Sequence, residues 1–395
     1  MAQHTTRNNK LTMQHQENQS QKGHHKEQQE EAKQRLQNMP LLVLLFLCCI
    51  SLFISGAQAL NNITISAIYV FGDSTVDPGN NNYINTVMRS DFSPYGRDFV
   101  NQMPTGRFTN GRLTTDFLAS YMGVKEYIPP YLDPTLSMEE LITGVSFASA
   151  GSGFDPLTPT LANVIDIPKQ VEYFKEYKKR LELAIGKEKM QKHMKKAGFV
   201  ISAGTNDFVV NYFIIPLRRQ TYTVSAYQQF VFQKAKELIQ DLQEEGARKI
   251  VVTGLPPMGC LPAVITLNSE DALLQRGCID KYSTVAREYN QMLQNELKSM
   301  NFGSANNLGA KIYYIDIYGP MIDMIQGPAK LGFDDVNNGC CGTGYVEAGF
   351  LCNTKSYVCP DASKYVFWDS IHPTEKTYSN IFNACLNILD DIIND

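Results

Sequence analysis

Short runs of β-branched and aromatic residues recur along the chain, and each ends in a polar or glycine-rich turn. They occupy residues 67–71, 198–202, 249–253 and 311–316. Near-continuous apolar runs of this length are typical of parallel strands that are covered on both faces. Between them, apolar side chains recur at helical spacing over residues 167–186, 227–245 and 283–300. This alternation predicts an α/β fold with a mainly parallel sheet, which binds its ligands at the carboxyl ends of the strands.

Residues 1–38 are of a different kind, because Gln, Asn, Lys, Glu and His dominate them. So few apolar side chains cannot offset the entropy of folding, and we expect a disordered polar extension. It holds four of the six histidines, but these are scattered, which favours a solvated tail over a metal-binding tract. Residues 60–395 contain no evident linker or internal repeat and are predicted to form a single domain.

Residues 39–59 include an apolar run and end in Ala57-Gln58-Ala59, the small-x-small pattern of a signal-peptidase site. The apolar run falls short of the ~20 residues of a membrane span, so a cleaved signal peptide is favoured over a membrane anchor. The long polar lead is unusual for a signal peptide, and a start of translation at Met39 would explain it. We therefore predict a secreted, extracellular protein without stable membrane insertion after processing.

Cysteine usage agrees with secretion. Seven of the nine cysteines lie beyond residue 59: Cys260, Cys278, Cys340, Cys341, Cys352, Cys359 and Cys385. In an oxidising compartment this number predicts disulfides and one unpaired thiol. The four between residues 340 and 359 lack the paired C-x-x-C spacing of zinc sites, so two disulfides are favoured and no metal is predicted. The pairing stays open, although Cys260 with Cys278 would close a short loop. The sequon at residues 62–64 predicts glycosylation of Asn62.

Two polar segments directly follow predicted strands, where such a sheet places its site. In the first, Ser74 lies among the backbone dipoles at a strand end, which help an alkoxide to form and an oxyanion to settle. In the second, Asn206 offers its side-chain amide as an oxyanion donor. Each segment taken alone fits ordinary turn chemistry better, with Ser74 as a helix cap and Asn206 in an Asx-turn.

A third segment, residues 367–374, supplies a carboxylate and an imidazole. Asp369 stands three residues before His372 and can hold its Nδ1–H, which leaves Nε2 free to take a proton from serine. Beyond residue 59 the only other histidine is His193, in an exposed, lysine-rich helical segment without an evident carboxylate partner. A serine hydrolase that uses histidine would therefore use His372, oriented by Asp369, with Ser74 as its nucleophile.

Motifs of other reaction classes are missing. The sequence has no G-x-S-x-G elbow, no P-loop, no G-x-G-x-x-G after a strand and no H-E-x-x-H. The formal net charge of −4 gives no electrostatic footprint for nucleic acid. Acyl transfer without a cofactor is the reaction class that remains best supported.

Taken together, these segments resemble the plant GDSL esterase/lipase family within the SGNH hydrolases. The similarity extends, in order and spacing, over nearly all of residues 60–395. The matching blocks are FGDSTVDPGNNN at 71–82, PTGRFTNGR at 104–112, GVSFASAGSG at 144–153, GTND at 204–207, GLPPMGC at 254–260, CCGTG at 340–344, and Asp369 with His372. This many blocks in order make the resemblance specific.

The resemblance implies a flavodoxin-like three-layer α/β/α sandwich with Ser74 as the nucleophile. It also implies an oxyanion hole made by the backbone N–H groups of Ser74 and Gly151 and the side chain of Asn206. Two positions depart from the family pattern, since Ser146 stands where Asn is common and Ala150 where Gly is common. We expect Ser146 to alter a supporting hydrogen bond and Ala150 to restrict the backbone beside the oxyanion donor.

The sequence therefore predicts a secreted serine hydrolase that cleaves carboxylic esters through an acyl-enzyme on Ser74, and the resemblance suggests the cell wall or apoplast. A non-catalytic extracellular binding protein on the same scaffold is one alternative, and an acyltransferase that uses the same triad is another. The expected partner is an ester substrate. Its identity stays open among lipid, cutin-like polyester, acylated polysaccharide and small ester.

Overall fold

The computed structural model describes residues 65–269, 272, 276–302 and 309–394. The predicted polar extension, the predicted signal peptide and Asn62 lie outside the described residues. The strands within them are β1 Ile68–Gly72, β2 Gly198–Ser202, β3 Lys249–Thr253, β4 Lys311–Ile315, β5 Asp335–Gly339 and β6 Tyr365–Phe367. The α-helices within them are α1 Thr114–Tyr121, α2 Met138–Ile142, α3 Leu157–Thr160, α4 Ile167–Ile185, α5 Lys187–Lys196, α6 Val224–Glu244, α7 Pro262–Asn268, α8 Asp280–Phe302, α9 Tyr318–Gln326, α10 Pro328–Leu331, α11 Glu375–Ala384 and α12 Leu386–Asn394. A π-helix, Asp207–Ile214, follows β2.

The first four strands form one parallel sheet, in which β1, β2, β3 and β4 lie side by side in chain order. β2 and β3 coincide with the predicted runs, whereas β1 and β4 differ from them by one residue at their ends. In register, Ile68 pairs with Gly198, Gly198 with Lys249, and Lys249 with Lys311. The carboxyl ends of all four strands therefore meet at one edge of the sheet.

Residues 143–149 extend this sheet along the other side of β1, although they form only an isolated parallel bridge between Val70 and Ser146. Backbone N–H groups of Phe147 and Ser149 donate to the carbonyls of Val70 and Gly72 at 2.8 and 3.0 Å, and Val70 N–H donates to Val145 at 3.1 Å. This segment follows β1 along the chain, but in the sheet it lies at the edge next to β1, on the side away from β2. The resulting order is the flavodoxin-like one, whose ligands bind where the connections on either side of the first strand diverge.

Helices cover both faces of the sheet and make it the middle of three layers. On one face, Phe71, Phe199 and Ile250 belong to a large core with side chains of α4, α6 and α8. On the other face, Val70 and Val200 belong to a smaller core with α1, α11 and α12. Successive strand residues alternate between the two cores, as the pleat requires. The predicted α/β/α sandwich is confirmed.

The three predicted helices also form. α4 ends at Ile185, one residue before the predicted limit of Gly186. Asp166 caps its start, because the Asp166 carboxylate accepts the N–H of Lys169 at 2.7 Å. α6 begins three residues earlier than predicted because Thr223 caps it, accepting the N–H of Ala226 at 3.3 Å. α8 is longer than predicted at both ends.

Three disulfides pair six of the seven described cysteines: Cys260–Cys278, Cys340–Cys359 and Cys341–Cys352. Cys385 is unpaired and buried. The two disulfides of the 340–359 loop lie beside the small parallel sheet of β5 and β6, where Cys340 N–H donates to Phe367 at 3.0 Å. In the described part of the chain, no helix is long and apolar enough to cross a membrane.

Candidate active site

The loop that carries Ser74 begins where β1 ends. Gly72 has a φ of +141°, and a Cβ there would lie 1.8 Å from the carbonyl oxygen of Ser202, so this position requires glycine. The Gln170 side chain, from α4, accepts the N–H of Gly72 and donates to its carbonyl, both at 2.9 Å. Asp73 N–H then donates to Ser202 at 3.0 Å. These contacts fix the exit of the chain and place Ser74 at the carboxyl edge of the sheet.

Asp73 stabilises the turn next to the hydroxyl. Its buried carboxylate accepts the N–H and the Oγ1–H of Thr75 at 2.9 and 2.7 Å. Burial raises the pKa of Asp73 to about 6, although the two Thr75 hydrogen bonds and the nearby His372 act in the opposite direction. Asp73 therefore serves the backbone of the loop, while the Ser74 side chain stays available.

The structure brings Ser74, Asp369 and His372 together. His372 Nε2 lies 2.8 Å from Ser74 Oγ, and its Nδ1 lies 2.8 and 2.9 Å from the two oxygens of Asp369. Ser74 and His372 are each 5% exposed and Asp369 is fully buried. With Nδ1 protonated and donating to the carboxylate, Nε2 is an acceptor for the serine hydroxyl. This is the geometry of a serine–histidine–aspartate triad.

Asp369 is held by several donors besides the imidazole. The backbone N–H groups of Ile371 and His372 donate to its Oδ1 at 2.9 and 2.7 Å, which closes the turn between the two catalytic candidates. Tyr95 donates its hydroxyl to Oδ2 at 2.7 Å and accepts the N–H of Gly349 at 2.8 Å. Because every donor is fixed, the carboxylate has one orientation toward the ring.

The block at residues 104–112 supports the segment that carries His372. The ring of Phe108 packs against the imidazole, with centroids 4.9 Å apart. Thr109 donates to the carbonyl of Pro373 at 3.0 Å, and Asn110 accepts the N–H of Glu375 at 2.9 Å at the start of α11. This block thus contacts both the His372 ring and the backbone that follows it.

The disulfide-bonded loop at residues 340–359 also supports the segment that carries His372. Cys341 N–H donates to the carbonyl of Trp368 at 2.8 Å, and Ser370 N–H donates to Glu347 at the same distance. A Cβ at Gly339 would lie 2.7 Å from the backbone of Asp369, so only glycine permits this approach. The two disulfides of the loop therefore stabilise the backbone from which the carboxylate and imidazole project.

Gly151 ends a segment that is anchored to the serine loop. Asp77 accepts the N–H of Ala150 at 2.9 Å, and Asn81 donates to the carbonyl of the same residue at 2.9 Å. Asn80 donates to the carbonyls of Ser146 and Ala148, both at 2.8 Å. The Asp-Pro-Gly-Asn-Asn run thus supplies the side chains that position residues 146–151 next to Ser74.

The two departures from the family pattern have identifiable contacts. Ser146 donates its hydroxyl to the carbonyl of Val76 at 2.9 Å and accepts the N–H of Ala148 at 3.2 Å. Ala150 is fully buried, and the left-handed conformation falls on the next residue, Gly151, with a φ of +86°. The backbone turn beside the expected donor is therefore made by glycine.

The three donors of the predicted oxyanion hole lack a full set of acceptors among the described residues. Among the described residues, no acceptor receives the backbone N–H of Ser74 or of Gly151. Asn206 uses one of its two amide hydrogens in a 2.9 Å bond to the carbonyl of Ser152. That bond fixes the amide plane and leaves the second N–H to donate elsewhere.

Asn206 is in turn held by the π-helix that follows it. The first residue of this helix, Asp207, is fully buried and accepts the N–H groups of Phe154 and Asp155 at 2.8 and 3.2 Å, as well as the Thr158 hydroxyl. Burial raises the pKa of Asp207 to about 7 against these stabilising bonds. π-Helical segments are frequent at functional sites, and this one begins directly after Asn206.

Three site residues were not predicted from the sequence. Tyr95 and Gln170 stand in segments without any motif, and their bonds reach 274 and 98 positions along the chain, so no local pattern marks them. Asp77 did have a signal, since Asp-Pro-Gly-Asn is turn chemistry. His193 takes no part: α5 is largely exposed as expected, but the His193 ring is half-buried and its Nε2 lies 3.1 Å from the Tyr69 hydroxyl.

An apolar cavity of about 100 Å³ adjoins the hydroxyl of Ser74 and the ring of His372. Its lining also includes Val200 and Val251, on the face of the sheet that packs against α1, α11 and α12, and Cys385. We call it the sub-sheet cavity. Among the described residues, no group of three His, Cys, Asp or Glu side chains is arranged to hold a metal ion.

The chain is similar to known proteins over most of its length. A family model described as GDSL-like Lipase/Acylhydrolase matches residues 68–385. The GDSL esterase/lipase At5g45960 of Arabidopsis thaliana is 63% identical over 330 residues, which cover 84% of this chain and 88% of that relative. The GDSL esterases/lipases At1g06990 and At2g31540 of the same plant are 45% and 42% identical, over 80% and 86% of this chain and 88% and 92% of their own lengths. These matches confirm the resemblance seen in the sequence blocks, and the chain belongs to the GDSL-like lipase/acylhydrolase family.

Proposed function

We propose that this protein is a carboxylic ester hydrolase in which Ser74 is the nucleophile, His372 the general base and Asp369 the orienting carboxylate. The observation that carries the proposal is the continuous chain of hydrogen bonds from Ser74 Oγ through both ring nitrogens of His372 to Asp369. The names of the relatives, esterase/lipase, support esters as the substrate class.

In the proposed cycle, His372 Nε2 takes the hydroxyl proton while Ser74 Oγ forms a bond to the ester carbonyl carbon. The resulting imidazolium is stabilised by the fully buried Asp369, which does not itself take the proton. His372 then returns the proton to the departing alcohol, which leaves an acyl group on Ser74. A water molecule, activated by the same ring, releases the acid and restores the hydroxyl.

The backbone N–H groups of Ser74 and Gly151 and the side-chain amide of Asn206 form the proposed oxyanion hole. The left-handed turn at Gly151 and the bond from Asn206 to Ser152 support this assignment, because both fix a donor before the substrate arrives. Donors that are already oriented need no reorganisation as charge develops on the carbonyl oxygen. Loss of one such donor costs about 2.7–4 kcal/mol of barrier in other serine hydrolases.

The first test is Ser74→Ala with a short p-nitrophenyl ester. We expect turnover to fall by at least ~10³-fold, as for triad losses in other enzymes, because no hydroxyl remains to attack the carbonyl. Ser120→Ala, an exposed serine at the end of α1, is the matched control and should keep full turnover. Wild-type turnover in the Ser74→Ala variant would refute the assignment.

A fluorophosphonate probe separates this proposal from a non-catalytic binding protein on the same scaffold. An activated Ser74 hydroxyl should be labelled in the wild-type protein and not in the Ser74→Ala variant. Absence of labelling in a correctly folded wild-type protein would favour the binding protein. Product analysis with and without an added alcohol then distinguishes hydrolysis from acyl transfer.

We further propose that the protein is secreted after removal of a signal peptide at residues 39–59, behind a polar extension at residues 1–38, and that Asn62 is glycosylated. The three disulfides support this route, because disulfides persist in oxidising compartments. An intact mass of the extracellular protein that begins at Leu60, with a glycan removable from Asn62, is the expected result. A mass that retains residues 39–59 would instead indicate an anchor.

A further inference from the structure

The sub-sheet cavity is lined differently at its two ends. At its mouth are the reacting groups Ser74 and His372, with Asp73 and Asn206 close by. Away from the mouth, hydrocarbon and sulfur dominate the lining: Val200, Val251, Leu118, Phe382, Cys385 and Leu389. Hydroxyl groups also line it, those of Thr114, Thr115, Thr253 and Tyr378. Among the described residues that line it, the only Asp, Glu, Lys or Arg is Asp73, which lies at the mouth next to Ser74. A ligand that enters from Ser74 therefore meets a mainly apolar surface beyond its first atoms.

Packing on the two faces of the central strands shows that this space is part of the fold. Phe199 and Ile250, which face the larger core, are 0% exposed. Val200 and Val251, one position further along the same strands, are 6% and 7% exposed although they are equally central. Protein cores are normally packed without voids larger than a water molecule. The residual exposure of Val200 and Val251 is interior surface of the cavity.

The cavity also has a direction. Along β2 it reaches from Ser202 back to Val200, two residues or roughly 7 Å from the carboxyl edge. Along α11 it reaches from Tyr378 to Cys385, the residue that caps the end of this helix, which is seven residues or roughly 10 Å. Leu389 on α12, the lining residue that follows Cys385 along the chain, is 4% exposed, and we take it as the inner end. The space is thus elongated and leads away from the nucleophile.

We propose that the sub-sheet cavity binds the acyl chain of the ester, so that the preferred substrates carry an unbranched fatty acyl group rather than acetyl. This inference rests on the proposed function of Ser74. The carbonyl carbon lies at Ser74 Oγ, and the chain extends between the sheet and α11 toward Cys385 and Leu389. These two side chains form the floor and set the acyl length that fits.

The nature of the floor agrees with this ligand. Burial raises the pKa of the Cys385 thiol to about 11, so the side chain is neutral and behaves as a small hydrophobic group. Each methylene transferred from water to such a wall is stabilised by about 0.8 kcal/mol, which corresponds to roughly a fourfold gain in affinity. A hydrocarbon chain gains on every carbon until it meets the floor.

The wild-type protein gives the first test. Straight-chain alkyl trifluoromethyl ketones of increasing length, which mimic the tetrahedral intermediate, are assayed as inhibitors of p-nitrophenyl butyrate hydrolysis. We expect inhibition to strengthen roughly fourfold per added methylene and then to level off at one chain length. Equal inhibition at all lengths would contradict binding of the acyl chain in the sub-sheet cavity and leave the esterase proposal intact. Absence of any ester hydrolysis would contradict the esterase proposal itself.

Substitutions at the floor give the second test. Cys385→Phe shortens the space, and we expect the ratio of kcat/KM for p-nitrophenyl octanoate over butyrate to fall at least tenfold. Leu389→Ala deepens the space, and this variant should shift the preferred length upward. Asn383→Phe adds the same ring on the exposed side of α11 and should leave the ratio unchanged. A ratio that stays constant in folded Cys385→Phe and Leu389→Ala proteins would contradict the assignment of the floor.

Discussion

At the scale of single residues, the hydroxyl of Tyr95 connects the carboxylate of Asp369 to a distant loop. It donates to Asp369 Oδ2 at 2.7 Å and accepts the N–H of Gly349 at 2.8 Å. The Tyr95 ring also packs edge-on against Trp368, with centroids 6.2 Å apart. Tyr95 does not touch the sub-sheet cavity, so its contribution is to the position of Asp369 rather than to the binding of substrate.

Tyr95→Phe should therefore lower kcat about tenfold and leave KM close to the wild-type value. A hydrogen bond to a charged group contributes about 1.5–3 kcal/mol, and its loss allows Asp369 to leave the plane of the imidazole. Steady-state kinetics with p-nitrophenyl butyrate measure the split between kcat and KM. Tyr121→Phe removes the same hydroxyl from an exposed tyrosine that bonds to Asp390, and it should change neither constant. An unchanged kcat in Tyr95→Phe would show that the other donors to Asp369 suffice.

Residues differ in how far a sequence can indicate them. Ser74, Asp369 and His372 were predicted because each stands in a short segment whose chemistry is local: a strand end, or a carboxylate three residues before an imidazole. Tyr95 and Gln170 were not predicted, since their partners are fixed only by the tertiary fold. Burial was also missed for His193, because lysines surround it along the chain while Tyr69 contacts it in space.

At the scale of elements, residues 143–149 pair with β1 like a strand but lack the apolar run that predicted the other strands. β2 and β3 were predicted to the residue because sheet strands covered on both faces are almost entirely apolar. The 143–149 segment reads Thr-Gly-Val-Ser-Phe-Ala-Ser, in which small polar residues and a glycine interrupt the apolar ones, so it contains no apolar run like those of β2 and β3. Besides its backbone hydrogen bonds to β1, side chains from the serine loop hold this segment, and Asn80 binds two of its carbonyls.

Asn80→Ala should loosen this segment and impair both stability and catalysis. The Asn80 side chain makes three hydrogen bonds: two to the carbonyls of Ser146 and Ala148, and one from the N–H of Leu132 at 3.1 Å. At about 1 kcal/mol each, their loss should lower the free energy of unfolding by about 3 kcal/mol. Because Gly151 continues the same segment, kcat should fall as well. Denaturant unfolding and ester kinetics measure the two effects.

Asn82→Ala is the matched control from the same asparagine run. Its side chain donates to Thr105 at 2.8 Å and so holds a different segment. We expect a smaller loss of stability, about 1 kcal/mol, with kcat retained. Equal losses of kcat in both variants would mean that the run acts through the serine loop as a whole and not through residues 143–151.

At the scale of the whole molecule, buried carboxyl groups make stability depend on pH. Burial raises the pKa of Asp73 and Asp77 to about 6 and that of Asp207 to about 7, all above the ordinary value of 3.8. The folded state therefore binds these protons more tightly than the unfolded state. The stabilisation is fully present below about pH 4 and is lost as the pH rises through 6 and 7.

Asp207→Asn isolates one of these groups, because asparagine has a similar shape and does not titrate. The melting temperature of the variant relative to the wild type should rise as the pH increases from 5 to 8. The slope in the free energy of unfolding should be at most about 1.4 kcal/mol per pH unit. Asp241→Asn changes an exposed carboxyl and should give a flat difference over the same range. A flat difference for Asp207→Asn as well would mean that Asp207 is already ionised at pH 5.

The direct contact between Ser74 and His372 joins positions 298 residues apart in the chain. Under the proposed mechanism, a ribosome must therefore add almost three hundred amino acids after the nucleophile before the base exists at all. Prematurely terminated or nascent polypeptides carry the serine but lack the group that activates it. Under that mechanism, copies that end before His372 are therefore unable to cleave an ester at Ser74.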